Sequence, residues 1–435
     1  MTATAGIYTL GCKVNQYESE AIAEALEQVG IAVREPTEVC SIYIINTCTV
    51  TAESDRKARQ FIRRALGHNP TALILVTGCF AQVDPAQIAA IEGVDYICGN
   101  REKMAVVAAA QALLAQGSKN DRPTVAVSHL DEAGFEAMQI TRFGRTRAYV
   151  KIEDGCESHC AYCIIPQARG KIRSKAPADV IAEVRALAES GCREVVLTGI
   201  ETSAYGKDLG DYGLADLLCD LDRETGIGRI RLGSLDPSLI RDRFVERIAP
   251  LPSLAPHFHL SLQSGADHVL NLRRRPYSAA MARAAVERLR AAFPTLGLTA
   301  DVIVGFPQET EADFDETAAF LRDARFLDAH IFAYSRRPGT EAATMPGQID
   351  EAVKHARSAK LIAAQNELHR TLLDEAVAAA QTVPVLFETQ QDGWAQGHTP
   401  AFYEMRVPAD RDLRGLELPV RPTGHDGRAL TGELC

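Results

Sequence analysis

Along the first hundred residues, short apolar runs alternate with stretches of helical periodicity. Gly6–Leu10, Ser41–Asn46, Ala72–Thr77 and Val94–Cys98 are runs of strand length. Between them, Tyr17–Val29 places Ile22, Leu26 and Val29 on one helical face, and a second helix is expected from about Ala52 to Leu66. Asp84-Pro85 supplies a cap and a first-turn proline for a third. Short apolar strands separated by helices imply an open parallel sheet covered on both faces. The pattern breaks from Gln116 to about Thr141, where Gly117-Ser118-Lys119-Asn120-Asp121-Arg122-Pro123 has the composition of a linker.

A second series follows. Strands are expected at Ala148–Ile152, Glu194–Thr198, Arg229–Leu232, His257–Leu260, Thr299–Val304 and Ala329–Ala333, and helices at Ala178–Glu189, Leu214–Arg223, Ala279–Ala291 and Glu311–Arg322. Repeated strand–helix units suggest a full or partial (β/α) barrel, whose chemistry gathers at the carboxyl ends of its strands. A long helix from about Asp350 to Ala380 comes next. Thr382–Glu388, Phe402–Val407, Leu416–Val420 and Ala429–Leu434 then read as short strands of a small antiparallel β-barrel. The fold class is α/β. Domains are expected at 1–125 (open parallel sheet), 142–348 (partial barrel), 349–380 (connecting helix) and 381–435 (small β-barrel).

Composition changes this picture only in places. Apolar residues at 46% and charged residues at 24% are ordinary for a globular protein. No run approaches the ~18 apolar residues of a membrane span, and Met1 to Leu10 lacks the basic and apolar regions of a signal peptide. Eleven cysteines, an odd number, fit a reducing cytoplasm and metal ligation better than disulfides. The net charge of −10 disfavours nucleic acid, but three basic clumps point the other way. Arg142, Arg145, Arg147 and Lys151 form one, Arg169, Lys171, Arg173 and Lys175 another, Arg273, Arg274 and Arg275 a third. Two of them bracket a cysteine motif and are expected to form a surface that steers a phosphate backbone, against the plainer reading of solvated faces. The last 55 residues, with five Arg, no Lys and eight acids, are not basic. A structural or dimerising role for that barrel therefore stays open.

Candidate chemistry lies in the cysteines. Cys156, Cys160 and Cys163 form a Cys-x3-Cys-x2-Cys run right after a strand. Three thiolates so spaced can hold three irons of a four-iron cluster and leave the fourth open to a chelating small molecule. Zinc is the alternative, although it usually takes four ligands and His159 is not at ligand spacing. Cys12, Cys48 and Cys79 each follow a strand of the N-terminal sheet, where the carboxyl ends line one edge and distant residues converge. Three core thiols are the alternative there. Cys40, Cys98, Cys192, Cys219 and Cys435 have no partner spacing and read as core or surface thiols.

The words around these cysteines resemble the radical S-adenosylmethionine (SAM) methylthiotransferases. Glu153-Asp154-Gly155-Cys156 and Cys163-Ile164-Ile165-Pro166-Gln167-Ala168-Arg169-Gly170 carry the likeness, with Gln167 where that family usually has Tyr. TLGCKVNQYESE from Thr9, NTCTVT from Asn46 and TGC from Thr77 look like its N-terminal domain. The resemblance implies a radical SAM barrel with a [4Fe-4S] cluster on Cys156, Cys160 and Cys163. It implies a second [4Fe-4S] cluster on Cys12, Cys48 and Cys79, and a C-terminal TRAM-like substrate-binding barrel. The order of motifs after the barrel strands implies SAM contacts from Glu201, Ser234, Gln263, Asp301 and Gly305. No residue stands out as a catalytic acid or base.

In such a mechanism the open iron chelates SAM and passes it one electron, and a 5′-deoxyadenosyl radical abstracts hydrogen from the substrate carbon. A sulfur on the second cluster, methylated by another SAM, captures that carbon. Gly11-Cys12-Lys13-Val14-Asn15-Gln16-Tyr17-Glu18-Ser19 looks most like the branch acting on N6-threonylcarbamoyladenosine (t6A) at position 37 of tRNA. The implied partners are a tRNA anticodon stem-loop and an electron donor such as a flavodoxin or ferredoxin. Two branches of the same family stay open, one acting on isopentenyladenosine and one on a ribosomal-protein aspartate, the latter echoed in Ile200–Gly206. A non-catalytic iron–sulfur protein is the reading from another class.

Overall fold

The computed structural model describes residues 3–130 and 134–435. Met1 and Thr2, at the start of the expected first domain, and residues 131–133, within the stretch read as a linker, lie outside the described residues. The N-terminal sheet has β1 (Thr4–Thr9), β2 (Ala32–Arg34), β3 (Ile42–Thr47), β4 (Leu73–Gly78), β5 (Tyr96–Cys98) and β6 (Thr124–Ala126) in the order β2-β1-β3-β4-β5-β6. Every pair is parallel. Its helices are α1 (Lys13–Gln28), α2 (Ala52–His68), α3 (Cys79–Val83), α4 (Pro85–Ala89) and α5 (Ala105–Gln116). β3 and β4 are buried at every position, as strands covered on both faces must be. The edge strands β2 and β6 escape the hydrophobic pattern because they are short and half exposed. The expected linker thus begins by extending the sheet. Its far end is tied down as well: the Tyr17 hydroxyl donates to the Met138 carbonyl and Ile140 N–H to Glu183.

The second domain comprises β7 (Arg147–Lys151), β8 (Glu153–Asp154), α6 (Ile165–Arg169), β9 (Arg173–Ser174), α7 (Pro177–Glu189), β10 (Glu194–Thr198), α8 (Leu214–Glu224), β11 (Arg229–Leu232) and β12 (Ser234–Leu235). It continues with α9 (Asp242–Ile248), β13 (His257–Gln263), α10 (Asp267–Leu272), α11 (Ala279–Ala292), β14 (Gly297–Val304), α12 (Glu311–Asp323) and β15 (Asp328–Ala333). Parallel sheets β11-β10-β7 and β12-β13-β14-β15 make an incomplete barrel, open between β7 and β15. Strand alternation sorts its side chains. Ala148, Val150, Val195, Leu197, Ile230 and Leu260 pack outward into the core. Registered neighbours Tyr149/Val196/Arg231 and His259/Thr299 face inward, as do Asp301/His330 and Ile303/Phe332. The interior is therefore polar.

α13 (Glu351–Ala379) leads to a closed barrel of β16 (Val383–Gln391), β17 (Trp394–His398), β18 (Glu404–Pro408), β19 (Glu417–His425) and β20 (Leu430–Leu434), ordered β16-β17-β18-β20-β19. The pairs are antiparallel except β18–β20, the parallel pair that closes it. This barrel plugs the amino end of the larger one. Phe402 stacks on His257 at 4.4 Å and on His398 at 4.6 Å, under the guanidinium groups of Arg147 and Arg231. Arg147 also pairs with Glu388 at 2.9 Å.

The carboxyl ends of both parallel sheets face one another, locked by buried charge. Glu18 of α1, 0% exposed, takes ion pairs from Lys103, from Lys151 of β7 at 2.7 Å and from Arg169 of α6 at 2.6 Å. Asp154 takes Lys151 at 2.7 Å, Arg169 at 3.2 Å and Arg173 at 3.4 Å. Burial alone would raise both carboxyls. The neighbouring cations override it and hold Glu18 well below its usual value and Asp154 at about 2. Both carboxyls return to ordinary values on unfolding. Their contribution to stability is thus complete above pH 4.5 and is lost as pH falls towards about 2. Denaturant titrations across that interval should show the loss. Glu18→Gln leaves three buried cations short of a counter-charge and is expected to cost about 3–5 kcal/mol at neutral pH by the same measurement.

Candidate active site

Cys12 is the N-cap of α1, Cys48 follows β3 and Cys79 opens α3. The three converge. A Cβ built on Gly11 would stand 2.8 Å from the Cys48 Cβ, and the glycine sits at φ +100°, closed to other residues. Burial pushes the Cys48 thiol up to about 11, with Cys79 and Cys12 adding to the rise. Cys12 is solvent-accessible; its thiol is raised by its surroundings, with Arg169 opposing the rise.

The second set belongs to the barrel domain, whose polar interior, open between β7 and β15, is the chamber of this site. Ser158 N–H donates to the Cys156 sulfur at 3.5 Å and Ile165 N–H to the Cys163 sulfur at 3.4 Å, while an Arg275 guanidinium N–H reaches the Cys160 sulfur at 3.1 Å. Burial pushes Cys163 up to about 12, and Cys160 and Cys156 raise it further. The five-residue α6, about 7.5 Å of helix, runs from just after Cys163 to Arg169, whose Nε donates to the Cys79 sulfur at 3.3 Å. The other donors of Arg169 go to Glu18, Asp154 and Asn15.

Two observations test whether these thiols suit an iron–sulfur cluster. Within each set at least two thiols stand more than 4.8 Å apart. A single zinc with bonds of ~2.3 Å cannot span that, whereas a polynuclear cluster spreads its ligands wider. Beside the Cys12/Cys48/Cys79 set, moreover, four cations (Lys103, Lys151, Arg169, Arg173) meet two ionised carboxylates, Glu18 and Asp154. A third acid, Glu136, is pushed up to about 7 by burial. Of these cations Arg169 touches the Cys79 sulfur and opposes the rise of Cys12, offsetting part of the cost that burial sets on a thiolate, the form a cluster takes.

The expected SAM contacts divide. Glu201 is half-buried within the field of Cys156, beside Asp236 and Arg275, and burial raises its carboxyl. Gln263 ends β13 in the left-handed region, φ +61°, with its Oε1 buried and unpartnered. A strained backbone holding an unsatisfied amide is a feature of ligand sites. Ser234 is half-buried at the start of β12, opposite His259. Asp301 is not at a strand end: β14 runs on to Val304, and the carboxylate is held between His259 at 3.2 Å and His330 at 3.1 Å. Gly305 is required by packing, since a Cβ there would stand 2.4 Å from Lys354 Cγ of α13. Sequence reasoning missed Arg275, which bridges the Cys160 sulfur to Asp236 at 2.6 Å, and Glu153, whose Oε2 accepts from Glu201 N–H at 2.8 Å. Glu153 stands in the motif word Glu153-Asp154-Gly155-Cys156, which was the available signal, whereas Arg275 stood out only as a member of the third basic clump.

The expected basic surface does not form from most of its members. Lys151, Arg169, Arg173, Lys175 and Arg273 are buried. Lys175 pairs with Glu183 at 2.5 Å, and Arg273 donates to the Gln263 and Ile303 carbonyls. Glu18, which meets Lys151 and Arg169, comes from a distant part of the chain, where a count along the sequence cannot see it; Asp154 and Glu183 stand nearer, and only the fold turns them onto these cations. Arg142, Arg145, Lys171 and Arg274 remain exposed.

The chain is similar to known proteins throughout. The Radical SAM superfamily profile matches residues 150–321, and that of Uncharacterized protein family UPF0004 matches residues 4–99. Over 427 residues it is 40% identical to the threonylcarbamoyladenosine tRNA methylthiotransferase MtaB of Bacillus subtilis, covering 96% of this chain and 93% of that one. It is 40% identical to the MtaB of Thermotoga maritima, covering 81% and 80%. To the tRNA-2-methylthio-N(6)-dimethylallyladenosine synthase of Frankia alni it is 37% identical, covering 83% and 73%. Among solved structures, the radical S-adenosylmethionine methyltransferase TsrM from Kitasatospora setae superposes with TM-score 0.59 at 14% identity, over 90% of this chain and 79% of that one. That likeness is one of fold alone.

Gly11→Ala drives a methyl group into Cys48. After anaerobic reconstitution it is expected to bind the iron and sulfide of one cluster only, that of the Cys156 set, by elemental and sulfide analysis.

Proposed function

The chain belongs to the radical SAM methylthiotransferase family, and from that premise we propose that it converts N6-threonylcarbamoyladenosine at position 37 of tRNA to its 2-methylthio derivative. The observation that carries this reading is the 40% identity to a threonylcarbamoyladenosine tRNA methylthiotransferase over 96% of the chain; it is supported by two three-thiol sets whose domains meet at Arg169, 3.3 Å from the Cys79 sulfur. When bound, the cluster on Cys156, Cys160 and Cys163 with SAM supplies one-electron chemistry, and the cluster on Cys12, Cys48 and Cys79 supplies sulfur.

The chain's own residues bind, orient and exclude water. Arg275 ties the Cys160 sulfur to Asp236 and so sets the loop against the strand ends. Glu201 and Asp236 are the acceptors for the ammonium of SAM, and the unpartnered Gln263 amide offers an acceptor to its ribose. Phe306, Tyr334 and Ala161 form a small apolar cluster under the Cys160 turn that keeps water from the thiols. Phe332, on the inward row of β15 and 52% exposed, offers a flat face for a base splayed out of the anticodon loop. The chemistry consumes low-potential electrons, for which a cytoplasmic flavodoxin or ferredoxin is the donor.

Reconstituted protein with SAM, a reductant and tRNA bearing t6A should yield the 2-methylthio nucleoside on digestion and mass spectrometry. Appearance of methylthiolated isopentenyladenosine or ribosomal protein in its place would move the protein to another branch. SAM left intact under reducing conditions would make it a non-catalytic iron–sulfur protein. Gln263→Ala is expected to raise the dissociation constant for SAM about tenfold, the worth of one hydrogen bond of ~1.4 kcal/mol, with the melting temperature held.

A further inference from the structure

Beyond the two thiol sets, the chamber holds a cation that the ion-pair network does not use. Lys13 is the first residue of α1, next to Cys12 on the edge of the N-terminal sheet; it is exposed, on the helix that packs against β7 beside the open side of the barrel. Among the described residues no carboxylate lies within 4.0 Å of its ammonium, unlike Lys103, Lys151 and Lys175. The charges within its reach are Arg147 and Arg231, both committed to Glu194, together with Asp301 and Cys12. Asp301 is occupied by His259 and His330. With no acid of its own, the exposed ammonium is open to an anion.

The substrate proposed above carries one. A threonylcarbamoyl group joins threonine through its amine and leaves its carboxylate free, whereas an isopentenyl group is wholly apolar. Resting on that substrate reading, we infer that Lys13 is the binding site for the carboxylate of the N6 substituent, with His330 of β15 as the second donor facing the same space. The pair makes the chamber selective for an acidic purine substituent: a charge-assisted bond rewards the carboxylate, and an apolar substituent leaves the ammonium desolvated and unpaired. The position also holds the purine beside Cys12, where sulfur is delivered.

The test measures binding of the reconstituted enzyme to three anticodon stem-loops, bearing t6A, its carboxyl methyl ester, or unmodified adenosine. Wild type is expected to bind the t6A loop roughly 10- to 100-fold tighter than the ester loop, the range of a charge-assisted hydrogen bond. Lys13→Met should bring that ratio to about one, and Lys13→Arg should keep most of it. Iron and sulfide content equal to wild type certifies that each variant is loaded. A Lys13→Met enzyme that still prefers t6A to its ester by the wild-type ratio overturns the inference. Should wild type fail to prefer the t6A loop over unmodified adenosine, the substrate reading itself falls, a separate outcome from the first.

Discussion

Glu18 is the residue on which the assembly turns. It leaves α1 six positions after Cys12 and meets Lys103 of its own domain and Lys151 and Arg169 of the barrel, all out of water. Arg169 in turn lies six positions after Cys163 and touches the Cys79 sulfur. One carboxylate therefore fixes the separation of two thiol sets that are far apart in the chain. Buried ion pairs add little net stability, because desolvation offsets the Coulomb attraction. What this one contributes is geometry: any other docking of the two domains strands buried charge.

The C-terminal barrel constrains the site from the opposite end. Phe402, clamped between two imidazoles and two guanidinium groups, seals the amino end of the larger barrel. With that end closed, the barrel interior is left open at its carboxyl side and between β7 and β15. The acidic balance of this module is consistent with the position, since Glu388 and Glu417 pair with Arg147 and Arg229 of the barrel.

The polar barrel interior joins these ends. Alternation along each strand sends aliphatic residues outward to the helices and Arg231, His259, Asp301 and His330 inward. A closed barrel fills its interior with apolar layers. This one stays open between β7 and β15, and α1 lies over β7 at the gap, with the Arg145 guanidinium at the amino end of β7 donating to Gln16 at 2.9 Å. Lys13 enters the chamber from α1.

Much was legible in the sequence, and the reason is local. Periodicity located the apolar strands because each buries at least one face, and the three-domain order followed from it. The spacing of Cys156, Cys160 and Cys163 spoke for itself, because one turn holds all three. The convergence of Cys12, Cys48 and Cys79 was readable only through the rule that parallel strands end along one edge. What the sequence could not reveal was pairing over distance. Arg169 looked like surface charge because Glu18, which pairs with it out of water, lies 151 residues away in the chain. Asp301 looked like a strand-end ligand because nothing local marks the imidazoles that hold it. The residue types and their order were decided by the sequence alone; which charges face water, and which face one another, was decided by the tertiary structure, since a charge can leave solvent only where folding brings a partner to meet it.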